Sequence, residues 1–210
     1  MFECIDAKQV SSHVSASFWQ KIVMKETIFA ITLLSVSIIL ALGFLQLAKE
    51  EFQFWPPESR DTIQYKIFWA LFRIFFFGLC LISILEVLSG KLVQSDALRY
   101  SGLLLLVSGI GSATVISFLQ LGSKNAHGEK DKLITGGAYR FSRNPIYLTS
   151  IIGMVGWGVI FDSNALRINL FCWAVSYLIA PFLEEPWMER CYGKDYITYK
   201  STTARFLGWK

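Results

Sequence analysis

Charge is what this sequence has least of. Asp, Glu, Lys and Arg make up 17% of its 210 residues, against about 25% in an average soluble domain. A soluble globule of this length needs more polar surface, so that class is excluded. Cysteine is sparse too: Cys4, Cys80, Cys172 and Cys191 form no CxxC pair, which removes a disulfide-rich secreted module. Cys80 and Cys172 lie in apolar runs and read as small core hydrophobes. The two histidines, His13 and His127, lack a metal-ligand spacing, and no metal site is expected. A basic stripe interleaved with aromatics is missing, which argues against nucleic acid as a partner. The net charge of +4 is mild.

What is present is apolar length. Hydrophobic residues are 53% of the chain and aromatics 15%, and Thr27–Ala48 and Ser101–Ser123 carry no formal charge over 22 and 23 residues. About 20 apolar residues cross a bilayer. Five spans fit this pattern: Thr27–Ala48, Ile67–Leu88, Leu98–Leu121, a short Ile146–Phe161, and Leu166–Leu183. Residues 1–26, with Glu3 and Asp6 early, read as a polar leader before a retained span rather than as a signal peptide. Three N-terminal spans then occupy 27–121, and 122–210 holds the other two and a polar tail. Trp55-Pro56-Pro57 cannot continue a helix and reads as an interfacial turn with an aromatic anchor. Arg73 and Glu86 interrupt the second span, and an intramembrane charge is a functional candidate by default. Glu86 is placed near the interface. Gly109 with Ala113, and Gly153 with Gly156, predict close helix contacts. The fold expected is all-α: a polytopic membrane bundle of about five transmembrane helices plus a C-terminal interfacial amphipathic helix.

Orientation follows from lysine and arginine. The side holding 49–66, 122–145 and the tail carries 13 basic residues against 6 on the other, so it is expected to face the cytoplasm. The two most polar segments thus share one face.

Three constellations there can carry chemistry. In Leu133–Tyr147, adjacent glycines Gly136 and Gly137 permit close backbone approach to a ligand. Arg140 and Arg143 follow, with Tyr139 and Tyr147 nearby, and Pro145 suits the first position of a helix. A helix N-terminus beside an arginine favours a carboxylate or phosphate; the alternative is a positive-inside loop with snorkelling arginines. Next, Glu184-Glu185 repel each other unless a cation lies between them and the basic loop; the alternative is a helix end facing water. Last, Trp187, Met188, Cys191 and Tyr192 recur at helical spacing, predicting an amphipathic helix on the membrane surface over Pro186–Tyr199.

LITGGAYRFSRNPIY and the later EEPWMERCYGKDYITY together resemble the isoprenylcysteine carboxyl methyltransferase and phospholipid methyltransferase superfamily, over about residues 119–206. The resemblance implies an integral membrane enzyme that uses S-adenosylmethionine. It places Tyr139 and the turn Asn144, Pro145, Ile146 and Tyr147 at the cofactor, with Gly137 in the same stretch. Glu184 takes the ammonium, and Leu133 and Ile134 line the adenosyl part. Arg143, orienting an anionic substrate group, and Glu185 are the candidate catalytic residues. The substrate is expected to be lipid-like and to arrive from the bilayer, with catalysis at the cytoplasmic face: the inner membrane if the source is bacterial, the endoplasmic reticulum if eukaryotic. This chain departs from the family pattern at Asn144, usually histidine, and at Ala180, where isoprenylcysteine enzymes carry an arginine. Two other readings are an NADPH-dependent sterol-type reductase and a non-catalytic membrane scaffold. Ile146 and Thr149-Ser150 depart from the reductase pattern.

Overall fold

The computed structural model describes residues 7–49, 51–122, 125 and 131–208, with side chains from Trp19 onward except Lys21. Cys4, His127 and the side chain of His13 lie outside what is described. Six α-helices form the fold: α1 Ala7–Ala48, α2 Ile63–Leu88, α3 Asp96–Val115, α4 Pro145–Ile160, α5 Asn164–Tyr192 and α6 Lys194–Thr202. No strand occurs among the described residues. Four helices are long and apolar enough to cross a membrane, and α4 is a shorter apolar helix of 16 residues. The all-α polytopic bundle is therefore as expected.

Two antiparallel hairpins and one bridging helix make the bundle. Lys25 meets Glu86 and Thr32 meets Gly78, so α1 and α2 run in opposite directions. Gly102 meets Ile160 and Gly109 meets Gly153, so α3 and α4 do the same. The expected small-residue contacts fall in this second hairpin. A Cβ on Gly109 would stand 2.3 Å from the Gly153 nitrogen, and one on Gly156 would stand 2.4 Å from the Leu106 nitrogen. Small residues let these backbones touch, which is how helices associate where lipid removes the hydrophobic driving force. α5 packs on α1, α2 and α4. It is also the span most buried within the protein, at 39% against 22% for the other three. Phe75, Leu79, Ile82, Leu166, Leu170 and Trp173 fill the seam between α2 and α5.

Three details differ from expectation. Residues 7–26 are not a separate leader but continue α1. The fifth span does not end at Leu183: α5 runs on through Pro181 and Pro186 to Tyr192. The segment expected to begin a surface helix at Pro186 is thus the continuation of the span, and Glu184-Glu185 lie within a helix rather than at its end. Each proline removes one N–H from the helical ladder, leaving the Tyr177 and Phe182 carbonyls without their usual donors. Finally, Glu86 is fully buried rather than interfacial. It pairs with Lys25 Nζ at 2.8 Å and accepts the Ser163 hydroxyl, tying α1 and α2 to the start of α5. Arg73 lies exposed on α2. Cys80 and Cys172 are free thiols, partly buried.

Candidate active site

A cavity of about 480 Å³ lies between α1, α2, α4 and α5, bounded at one end by the segment before α4 and by α6. Its two ends differ in chemistry. Val36, Leu40, Phe72, Phe75, Phe118 and Trp173 make one end apolar. Tyr139, Arg143, Asn144, Tyr147 and Glu184 make the other polar.

Glu184 is held at the polar end by two donors. Trp55 Nε1 donates to its Oε1 at 2.6 Å, and the Tyr147 hydroxyl makes a short hydrogen bond to the same oxygen. Behind it, the Tyr147 ring lies 4.8 Å from Tyr177, which lies 5.5 Å from Trp173. This aromatic wall joins the two ends.

Asn144 occupies the N-cap of α4, yet its side chain caps nothing. Its Nδ2 donates instead to the Arg205 carbonyl at 2.9 Å. The first-turn amides of α4 are left without a side-chain acceptor, and Ile146 and Tyr147 of that turn line the cavity. Such amides attract a negative group.

Arg143 and Glu185 are turned toward each other. Arg143 donates to Glu185 Oε1 at 2.6 Å, and to the carbonyls of Thr203 and Lys200 at 2.7 and 3.0 Å. Arg205, from the tail, binds Glu185 through both carboxylate oxygens at 2.7 Å and lies 4.0 Å from the Phe182 ring centroid. The backbone joins in, with Arg143 N–H donating to the Ala204 carbonyl at 2.9 Å. The two residues expected at the chemistry thus form a buried clasp that fastens the chain after α6 to the turn before α4. Arg143 keeps one free group: its Nε is buried and without a partner. The hydrogen bond to Glu185 raises the pKa of Arg205, and that to Glu189 raises the pKa of Lys200, so both stay charged.

Tyr139 sits on a 3-10 turn, Gly137–Arg140. Gln120, carried on a π-helical turn Ile116–Leu121 at the end of α3, accepts the Ala138 N–H at 2.9 Å. Gly137 has φ +61°, and a Cβ there would stand 2.5 Å from the Gln120 side chain. The close approach that this glycine permits is to Gln120, not to a ligand. Tyr139, Tyr196 and Tyr199 pack together, and the Tyr199 hydroxyl donates to the Tyr139 carbonyl at 2.6 Å. Burial raises all three phenols, Tyr199 to about 12.

Of the sequence-predicted site residues, Ile134, Tyr139, Arg143, Asn144, Ile146, Tyr147, Glu184 and Glu185 line the cavity. Leu133, Gly137 and Pro145 are not among its lining residues: Leu133 packs behind Tyr139, and buried Pro145 starts α4. Sequence reasoning missed Trp55, Gln46, Tyr177, Gln120 and Arg205 as parts of the site. Gln46, a lone amide near the end of an apolar run, was the one visible signal. Trp55, expected as an interfacial anchor, folds inward to Glu184.

No curated protein and no solved structure matches this chain. Residues 98–195 match the family model described as phospholipid methyltransferase. This segment spans α3, α4 and α5, and it carries Tyr139, Asn144, Tyr147 and Glu184. It is accordingly a domain of the isoprenylcysteine and phospholipid methyltransferase superfamily, carried in a helical membrane protein.

Proposed function

We propose that this protein transfers a methyl group from S-adenosylmethionine to a lipid-like substrate that reaches the cavity from the bilayer. One observation carries the reading: a single cavity joins a carboxylate and uncapped helix amides at one end to an aromatic and aliphatic length at the other.

The residues present fit the cofactor. Glu184 offers a carboxylate to its ammonium or sulfonium, while the α4 amides and Arg143 Nε offer donors to its carboxylate. Ile134 and Met188 supply apolar surface for the adenosyl part. When bound, the cofactor supplies an electrophilic methyl group on a positively charged sulfur. The chain's own work is to orient the two partners and exclude water, which is where much of the rate of such a displacement originates. Tyr147, Tyr177 and Trp173 wall the reacting region from solvent. A strong general base is not required where the acceptor is already an anion. Ala180 presents an apolar wall one turn before the paired acids, so no arginine reads a substrate carboxylate there. The excess of basic residues at this end of the bundle supports a cytoplasmic catalytic face.

Calorimetric titration of the detergent-purified protein with S-adenosylmethionine tests the cofactor. Binding that is lost in Glu184→Gln is expected. Absence of binding to the native protein overturns the reading, and binding of NADPH instead favours a reductase. Transfer of labelled methyl into a membrane lipid extract, compared with a prenylcysteine, then identifies the acceptor.

A further inference from the structure

Glu184 belongs to the matched segment, but one of the two groups that hold it does not. Gln46 lies near the end of α1, before that segment. Its Oε1 accepts the N–H groups of Phe54 and Trp55 at 2.8 and 2.7 Å. Its Nε2 donates to the Trp55 carbonyl at 2.7 Å and, at a longer 3.4 Å, to the carbonyl of Leu183, the residue before Glu184. One side chain therefore fastens the backbone of the α1–α2 connection to α5 beside the paired acids. Trp55 is fixed by this and by its ring, which lies 4.2 Å from Phe68 at 31°. Its indole N–H then falls 2.6 Å from Glu184 Oε1. Tyr147 donates to the same oxygen. Among the described residues Oε2 has no hydrogen-bond donor, and Glu184 lines the cavity. A carboxylate with one oxygen tied by two donors cannot rotate freely, so the other oxygen keeps one direction.

We propose that Trp55, set by Gln46, is a positioning residue that holds one oxygen of Glu184 so that the other meets the cationic group of the bound cofactor. The inference rests on the methyltransferase reading above. It gives the first hairpin a part in ligand binding beyond its place in the membrane. Because the carboxylate is preorganised rather than merely present, losing the indole N–H weakens cation binding by about tenfold.

The test is a double-mutant cycle on the full chain, with S-adenosylmethionine affinity read by calorimetry. Trp55→Phe keeps a ring against Phe68 and removes the donor. It is expected to cost about tenfold in the native background and less than about twofold in Glu184→Gln, where no carboxylate remains to be held. Equal losses in both backgrounds would show that Trp55 acts through packing alone and would overturn the proposal, as would native affinity in Trp55→Phe. Gln46→Leu, which releases the loop without altering the indole, is expected to show the same coupling to Glu184. It carries the cycle if Trp55→Phe does not elute as a folded protein. If the native protein binds no cofactor, the proposed function fails and this role with it. Binding without coupling removes only the positioning role.

Discussion

Glu185 is 5% exposed and takes hydrogen bonds from two arginines, one of them buried. Breaking such a group is costly because the surviving charge stays buried without a partner. Glu185→Ala is expected to destabilise the protein by about 3–5 kcal/mol, read as a fall in thermal unfolding temperature in detergent. Arg205→Ala should cost less, because its side chain is 33% exposed and water can replace part of the contact. Tyr199 supports a second prediction. Its phenol is raised to about 12 by burial, and in its neutral form it donates to the Tyr139 carbonyl. An unfolded tyrosine ionises near pH 10. The unfolded chain therefore binds fewer protons between about pH 10 and 12, and stability falls as pH rises through that window. Tyr199→Phe is expected to flatten that alkaline decline, measured by unfolding at stepped pH. Arg143 and Glu185 were visible in the sequence as charged residues in promising positions. Their mutual pairing was not, because it depends on Arg205 folding back from the tail, and no local pattern encodes that return.

At the scale of elements, the α3–α4 hairpin shows how much a spacing can reveal. Gly109, Ala113, Gly153 and Gly156 announce close contact, and the backbones do meet there. Gly109→Ala is expected to cost about 1–3 kcal/mol, since the added methyl meets main chain that cannot yield. Gly111, two residues on, faces open space, with nothing within 4 Å of where a methyl would stand. Gly111→Ala should therefore leave unfolding unchanged and serves as the control. The extent of α5 was less legible. Two prolines in Pro181–Pro186 argue for an end or a break, yet the helix continues. Contacts outside the ladder help to hold it: Gln46 on the Leu183 carbonyl, Trp55 and Tyr147 on Glu184, and two arginines on Glu185. Tertiary partners here override local propensity.

The molecule as a whole places the connection before α2, the segment before α4 and the tail at one end, where Trp55, Arg143 and Arg205 surround the paired acids. Its opposite end carries the Leu92–Phe161 bridge and Asp162. The charge distribution assigns the first end to the cytoplasm. In a background with the four native cysteines replaced, Asp162→Cys is expected to react with an impermeant maleimide added outside intact cells. Glu58→Cys should react only after permeabilisation. The reverse pattern would invert the orientation.

The sequence by itself determined the solvent, the helical class and the stretch that carries the chemistry. Each depends on composition or on a short local spacing: charge-free runs long enough for a bilayer, small residues three or four apart, a motif read in order. Only the tertiary structure decided how the charges of that stretch are used. It pairs Arg143 with Glu185 and leaves Glu184 open to the cavity. It also brings Trp55 from the first hairpin and Arg205 from the tail to the same two acids. The reason is physical: a carboxylate at low dielectric is satisfied by whichever donors the packing delivers, and those donors lie far away along the chain.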